Sequence, residues 1–205
     1  MYSVVIPTIW KSKKIIRLIK NFNLNNNISE IIIIDNFPEK NFLSGELTKV
    51  KTKIFSFNEN QYVNPSWNFG VLHSSQKYIA LCNDDIVFND FIFNVLNIEE
   101  NTLFGINSNC YNLKNDEQLK INNIEKRCHG YGCLMFFQKK FYKKIPNELK
   151  IWYGDDFLFD NFEYKKSIDG LKIETNMSSS SKIPEFKNLI LSDIKNWKQI
   201  KLKNI

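Results

Sequence analysis

Tyr78-Ile79-Ala80-Leu81-Cys82-Asn83-Asp84-Asp85 is the stretch on which the reading of this chain turns. An apolar run with the composition of a strand stops abruptly at an amide and two adjacent carboxylates. Strands buried on both faces of a parallel sheet read as such runs. Ligands of open α/β sheets sit just past the carboxyl ends of those strands. Two neighbouring acids repel each other unless a metal, a ligand or a distant Arg or Lys neutralises them. A hard divalent cation with phosphate suits them, because Mg²⁺ sites commonly use one or two carboxylates plus substrate phosphates. The plainer reading is an Asx-type turn that closes the strand.

Moving outward, the same pattern recurs. Residues 3–6 form a short apolar run closed by Pro7-Thr8, residues 30–34 end at Asp35-Asn36, and residues 53–57 lead into Asn58-Glu59-Asn60. Ile15, Ile16, Leu18, Ile19 and Phe22 recur at helical spacing between the first two runs. Asn64-Pro65 reads as a helix start, with Asn as cap and Pro in the first turn, and Trp67, Val71 and Leu72 along the helix. This β-α-β alternation predicts a single α/β domain with a mostly parallel sheet flanked by helices. The strand ends then line one crevice. No Gly-rich phosphate loop of the Walker or dinucleotide type is present, which leaves phosphate to a metal.

The second half is less regular. Residues 91–96 read as a short helix, 103–106 and 133–137 as strands, 107–126 as a polar loop or lid, and 139–144 as a basic helix. Trp152-Tyr153-Gly154-Asp155-Asp156 opens an amphipathic segment with Phe157, Leu158 and Phe162 on its apolar face. Residues 178–181 are a polar linker, so the expected division is a catalytic domain over 1–177 and a Lys-rich extension over 178–205 packed on it. The extension reads as a helix whose Leu189, Ile190, Ile194 and Trp197 would face either the domain, which is the expectation, or an anionic membrane surface.

Composition narrows the class. At 205 residues, with 43% hydrophobic and 14% aromatic residues, the chain is long and apolar enough for one packed core. The net charge of +6 suits a phosphate-bearing ligand or an anionic surface. No dense Arg-rich run marks a nucleic-acid groove. The four cysteines, Cys82, Cys110, Cys128 and Cys133, lack zinc-ribbon spacing and read as free thiols of a reducing compartment. With no basic leader ahead of residue 3 and no run long enough to span a bilayer, the expectation is a cytoplasmic protein, with at most a weak membrane-surface contact.

In order and spacing, Ser3-Val4-Val5-Ile6-Pro7-Thr8, Ile31-Ile32-Ile33-Ile34-Asp35-Asn36, Asn60, Trp67-Asn68-Phe69-Gly70, Leu81-Cys82-Asn83-Asp84-Asp85 and Gly154-Asp155-Asp156 resemble the GT-A glycosyltransferases, in particular the large inverting family with small bacterial and viral members. The resemblance implies a donor site of Pro7, Thr8, Asp35 and Asn36 around the base, with Asp35 accepting a uracil N–H, and Asn60 and Asn68 near the nucleotide. It makes Asn83-Asp84-Asp85 a D-x-D variant, Asp84 toward ribose or diphosphate and Asp85 on Mn²⁺ or Mg²⁺. It places the catalytic base in Asp155-Asp156, with Asp156 nearer the acceptor. Trp152 and Tyr153, beside that pair, are candidates for stacking on an acceptor sugar.

Each assignment has a structural counterpart. Asp35 could cap a turn, Asp155 a helix, and Trp67, Trp152 and Tyr153 could be core, with His129 purely structural. One departure is visible: many relatives carry a late His at the metal, whereas His73 and His129 both precede Asp156. The expected activity is metal-dependent transfer of a sugar from a nucleotide diphosphate donor, UDP-linked, to a hydroxyl of a glycan or glycoconjugate, with inversion. The alternatives are a non-catalytic nucleotide-sugar-binding module and a sugar nucleotidyltransferase.

Overall fold

A computed structural model describes residues 1–37, 50–175 and 186–203. The linker expected over 178–181 lies outside the described residues. The chain runs β1 (Tyr2–Thr8), α1 (Lys14–Leu24), β2 (Ile28–Asp35), β3 (Thr52–Ser56), α2 (Val63–His73), β4 (Tyr78–Cys82), β5 (Ile86–Val87) and α3 (Ile92–Val95). It continues through β6 (Thr102–Ile106), β7 (Lys120–Asn123), β8 (Leu134–Gln138), α4 (Gly154–Asn161), β9 (Tyr164–Asp169), β10 (Glu174–Thr175) and α5 (Lys187–Lys203).

The main sheet has eight strands in the order β3-β2-β1-β4-β8-β6-β9-β7. β3, β2, β1 and β4 are mutually parallel, as expected. The second half is mixed: β8 runs antiparallel to β4 and β6, while β9 is parallel to β6 and antiparallel to β7. β5 and β10 form a separate antiparallel pair.

The isoleucine-rich runs are strands because they feed two cores at once. Val4, Ile6, Ile31 and Ile33 point to one side, against Ile15, Leu18, Ile19 and Phe22 of α1. Val5, Ile32 and Ile34 point to the other, against Trp67 and Val71 of α2 and Leu158, Phe159 and Phe162. Side chains alternate across a strand, so a run apolar at every position must be covered on both faces. All seven residues of β1 are buried.

Several local expectations change. Residues 107–126 hold a 3₁₀ turn over Ser108–Tyr111 and an edge strand, β7, exposed at all four positions. β9 went unread because only Ser167 and Ile168 of its six residues are buried and two of the others are lysines. The basic helix over 139–144 is only a 3₁₀ turn at Lys139–Phe141. Asn64 does not cap α2: the helix begins at Val63, and the buried Asn64 amide donates to the carbonyls of Leu149 and Trp152.

Candidate active site

The carboxyl ends of the parallel strands lie in register. Thr8 pairs across from Asp35, and Asp35 from Ser56. β4 pairs Leu81 with Val5, which carries Asp84 to the level of Thr8. There the Thr8 hydroxyl donates to Asp84 Oδ2 at 2.6 Å. Burial pushes the Asp84 carboxyl up to about 6, with Asp85 adding to the rise and the Thr8 hydrogen bond opposing it.

Two connected recesses open at this edge. The smaller, about 80 Å³, is lined by Pro7, Thr8, Asn36, Asn60, Tyr62 and Asp84 among others. The larger, about 410 Å³, brings Asn83, Asp84 and Asp85 into one crevice with Trp152, Tyr153, Asp155 and Asp156, some seventy residues later in sequence. Most of the expected site residues therefore share one cleft.

Asp35 and Asn68 are placed differently. Asp35 is buried at the strand end, where Oδ1 accepts from the Trp10 indole N–H and the Phe37 amide, both at 2.9 Å, and Oδ2 from Ser56 at 3.0 Å. A carboxylate offers about four acceptor positions, so roughly one remains for a base N–H. Asn68 faces away from the cleft. Its carbonyl accepts from Tyr142 and the Ile145 amide, and its amide donates to the Ile145 carbonyl, so it fastens α2 to the chain ahead of α4. Its expected place near the nucleotide is corrected accordingly: a buried amide with these three bonds is a brace.

The acidic pair sits on the first turn of α4, but Asp155 is not the cap. Tyr153 is, with φ of 64°. Gly154 follows because a Cβ there would lie 2.0 Å from Asn64 Oδ1, and Gly132 leaves room for Asp155, whose carboxylate a Cβ would meet at 2.6 Å. Trp10 and Tyr62 share the positive φ of Tyr153, at 57° and 64°. Left-handed backbone costs a bulky residue of order 1–3 kcal/mol, and such strain concentrates at ligand sites.

Three residues that sequence reasoning did not place in the site complete it. Arg127 donates from Nη1 to Asp155 Oδ2 at 2.8 Å, and from Nε and Nη2 to the two oxygens of Asp156 at 2.8 and 3.1 Å. Burial pushes Asp155 up, Arg127 pulls it down and Asp156 pushes it up again, leaving it above the usual carboxylate range. Asp193 of α5, fully buried, accepts from the backbone amides of Lys150, Ile151 and Trp152 at 2.9–3.2 Å. Trp197 stacks on Tyr153, with ring centres 5.7 Å apart and planes 13° from parallel. α5 therefore holds the loop that carries Trp152 and Tyr153. Arg127 did leave a signal, being one of only two arginines in a Lys-heavy chain.

Asn83, Asp84 and Asp85 offer hard oxygen donors, the set that Mg²⁺ and Mn²⁺ accept. Among the described residues no group of three His, Cys, Asp or Glu side chains is close enough to hold an ion. The donor set therefore fits a cation bound by one or two carboxylates with phosphate and water completing its shell, and does not fit an all-protein cage.

Residues 3–97 match the family model for glycosyl transferase family 2. The fold is that of the GT-A glycosyltransferases. GalNAc-T7, solved with UDP, GalNAc and Mn²⁺, superposes with a TM-score of 0.63 at 11% identity, over 85% of this chain and 43% of that one. Staphylococcus aureus TarS residues 1–349, solved with UDP-GlcNAc, superposes at 0.53 with 12% identity, over 81% and 55%. HddC from Yersinia pseudotuberculosis superposes at 0.56 with 15% identity, over 95% and 99%. The chain thus spans about half the length of the GalNAc-T7 and TarS structures. No curated protein sequence matches it. The family 2 match takes in β1 to α3, and with them Asn83-Asp84-Asp85, and stops short of Arg127 and Asp155-Asp156.

Proposed function

We propose that the protein is a glycosyltransferase that moves a sugar from a nucleotide diphosphate donor, UDP-linked, to a hydroxyl of a glycan or glycoconjugate, with inversion at the anomeric carbon. The observation that carries this reading is the convergence of Asn83-Asp84-Asp85 and Asp155-Asp156 on one crevice at the carboxyl edge of the parallel strands. Two acidic groups in one crevice have separate work to do: one for the donor diphosphate, the other for the acceptor proton.

In this reading Asp85, with Asp84 beside it, holds Mn²⁺ or Mg²⁺. When bound, such a cation offsets charge growing on the leaving diphosphate. Thr8 fixes the rotamer of Asp84 through its 2.6 Å hydrogen bond. Asp35 offers its remaining acceptor position to a uracil N–H. Trp152 and Tyr153 flank the acceptor, and Asp156 takes its proton as the hydroxyl attacks. UDP and UDP-GlcNAc in the GalNAc-T7 and TarS structures support the choice of donor. HddC was solved with GMP-PN, so the base must be tested directly.

The test is a panel of nucleotide sugars assayed with Mn²⁺, Mg²⁺ and chelator, reading binding by calorimetry and slow donor hydrolysis without acceptor. Metal-dependent binding of a UDP-sugar with release of free sugar is expected. Binding without any turnover across the panel would reduce the protein to a binding module, and a preference for GDP over UDP would remove the role of Asp35.

A further inference from the structure

Asp156 must meet an acceptor hydroxyl to take its proton, yet in this structure both of its oxygens accept from one guanidinium, which leaves each oxygen only its second lone pair and sets a cation against the carboxylate. That guanidinium lies in the same crevice as Asp84 and Asp85. Arg127 and His129 are the only basic side chains among its lining residues, and four carboxylates line it with them. An incoming diphosphate would add negative charge, and it matches the planar fork of an arginine as well as a carboxylate does. Little else holds the Arg127 head: its remaining hydrogen bond is a 3.4 Å contact with the Cys128 carbonyl. It stands on an irregular segment between β7 and β8, and is 28% exposed.

We propose that Arg127 is a counter-ion shared between base and donor. It pairs with Asp155 and Asp156 in the donor-free protein and passes to the diphosphate when the donor binds. One movement then bares the base and neutralises the leaving group, so Asp156 is masked until there is a donor to attack. This rests on the reading of the crevice as a nucleotide-diphosphate site, and the experiment separates the two.

Binding of inorganic pyrophosphate, UDP and GDP in Mn²⁺ is measured by calorimetry for the wild type, D156N, R127Q and R127Q/D156N. Because the anion must compete with Asp156 for Arg127, D156N should bind pyrophosphate several-fold to about tenfold more tightly, the scale of a charge-assisted hydrogen bond. The same substitution in the R127Q background should give little gain. A static brace would not produce that difference, since removal of one negative charge would help an anion equally in both backgrounds. Equal gain in the two backgrounds, or no gain in D156N, overturns the proposal. If R127Q does not fold, R127K keeps the charge without the fork, and the D156N gain should shrink in it; an undiminished gain overturns the proposal equally. Coupling with pyrophosphate but no nucleotide binding keeps the inference and removes the donor reading. Nucleotide binding with sugar release but no coupling does the reverse, and no affinity for any of the three removes both.

Discussion

At the scale of single residues the site is a set of carboxylates told apart by their surroundings. Asp84 is tied to Thr8 and raised by burial, Asp155 is half-buried against Gly132, and Asp156 is paired with Arg127. Asp156 is therefore the group best able to meet an acceptor hydroxyl once its cation has left. Asp156→Asn keeps the shape and cannot accept a proton. It should lower kcat by about 10²–10⁴-fold, the usual worth of general-base catalysis, without weakening UDP binding. Near-normal kcat would move the role to Asp155. Asp85→Asn should weaken UDP binding in Mn²⁺ and leave metal-free binding almost unchanged. Equal affinities of variant and wild type in Mn²⁺ would strip Asp85 of its metal.

At the scale of elements, one buried acid joins the four parallel strands at the end opposite the crevice. Glu30 on β2 accepts from Ser3 on β1, Lys53 on β3, and Ser75 just ahead of β4. Burial pushes its carboxyl up, but these hydrogen bonds outweigh burial and hold it below the usual glutamate range. A depressed acid lends stability that is present above its unfolded pKa and lost as pH falls through its folded one. Glu30→Gln should thus lower stability at pH 7 by about 1–3 kcal/mol, the cost of losing charge-assisted hydrogen bonds. The deficit should shrink below roughly pH 4.5. Urea titrations at pH 7 and pH 4 check this, and a deficit independent of pH would mean that shape alone is at stake. The helices obey simpler rules. α1 was legible because its four buried residues fall on one stripe. The start of α4 was not, because its cap is a strained Tyr153 where sequence reasoning expects Asp.

At the scale of the whole molecule, the last helix is part of the site. The Asp193 carboxylate terminates three consecutive backbone amides of the loop bearing Trp152, and Trp197 backs Tyr153. Asp193→Ala would leave those amides buried without acceptors. It should cost about 2–3 kcal/mol and speed amide exchange of residues 150–153 well before global unfolding. Unchanged protection of that loop would show that α5 is only a covering. The apolar side chains α5 leaves outward, Ile190, Leu191 and Leu202, are 36%, 67% and 73% exposed. Among the described residues no helix is long and apolar enough to cross a membrane.

The sequence by itself determined the parallel half of the sheet and the acids at its edge. A strand buried on both faces must be apolar throughout, and a polar residue at its end has only the crevice to enter, so Ile31–Ile34 with Asp35 and Ile79–Cys82 with Asp84 could be read in one dimension. Only the tertiary structure decided which polar residues face the ligand. Asn68 looks like a site residue in sequence and Asn64 like a helix cap, and both are braces in space, because nothing local tells a buried amide which carbonyl it will meet. Arg127 and Asp193 look like ordinary surface charges, and both meet partners many residues away, at Asp155-Asp156 and at the amides of residues 150–152. A charge acquires its role from what lies within about 3 Å of it, and that distance is set by how the strands and helices pack rather than by neighbours along the chain.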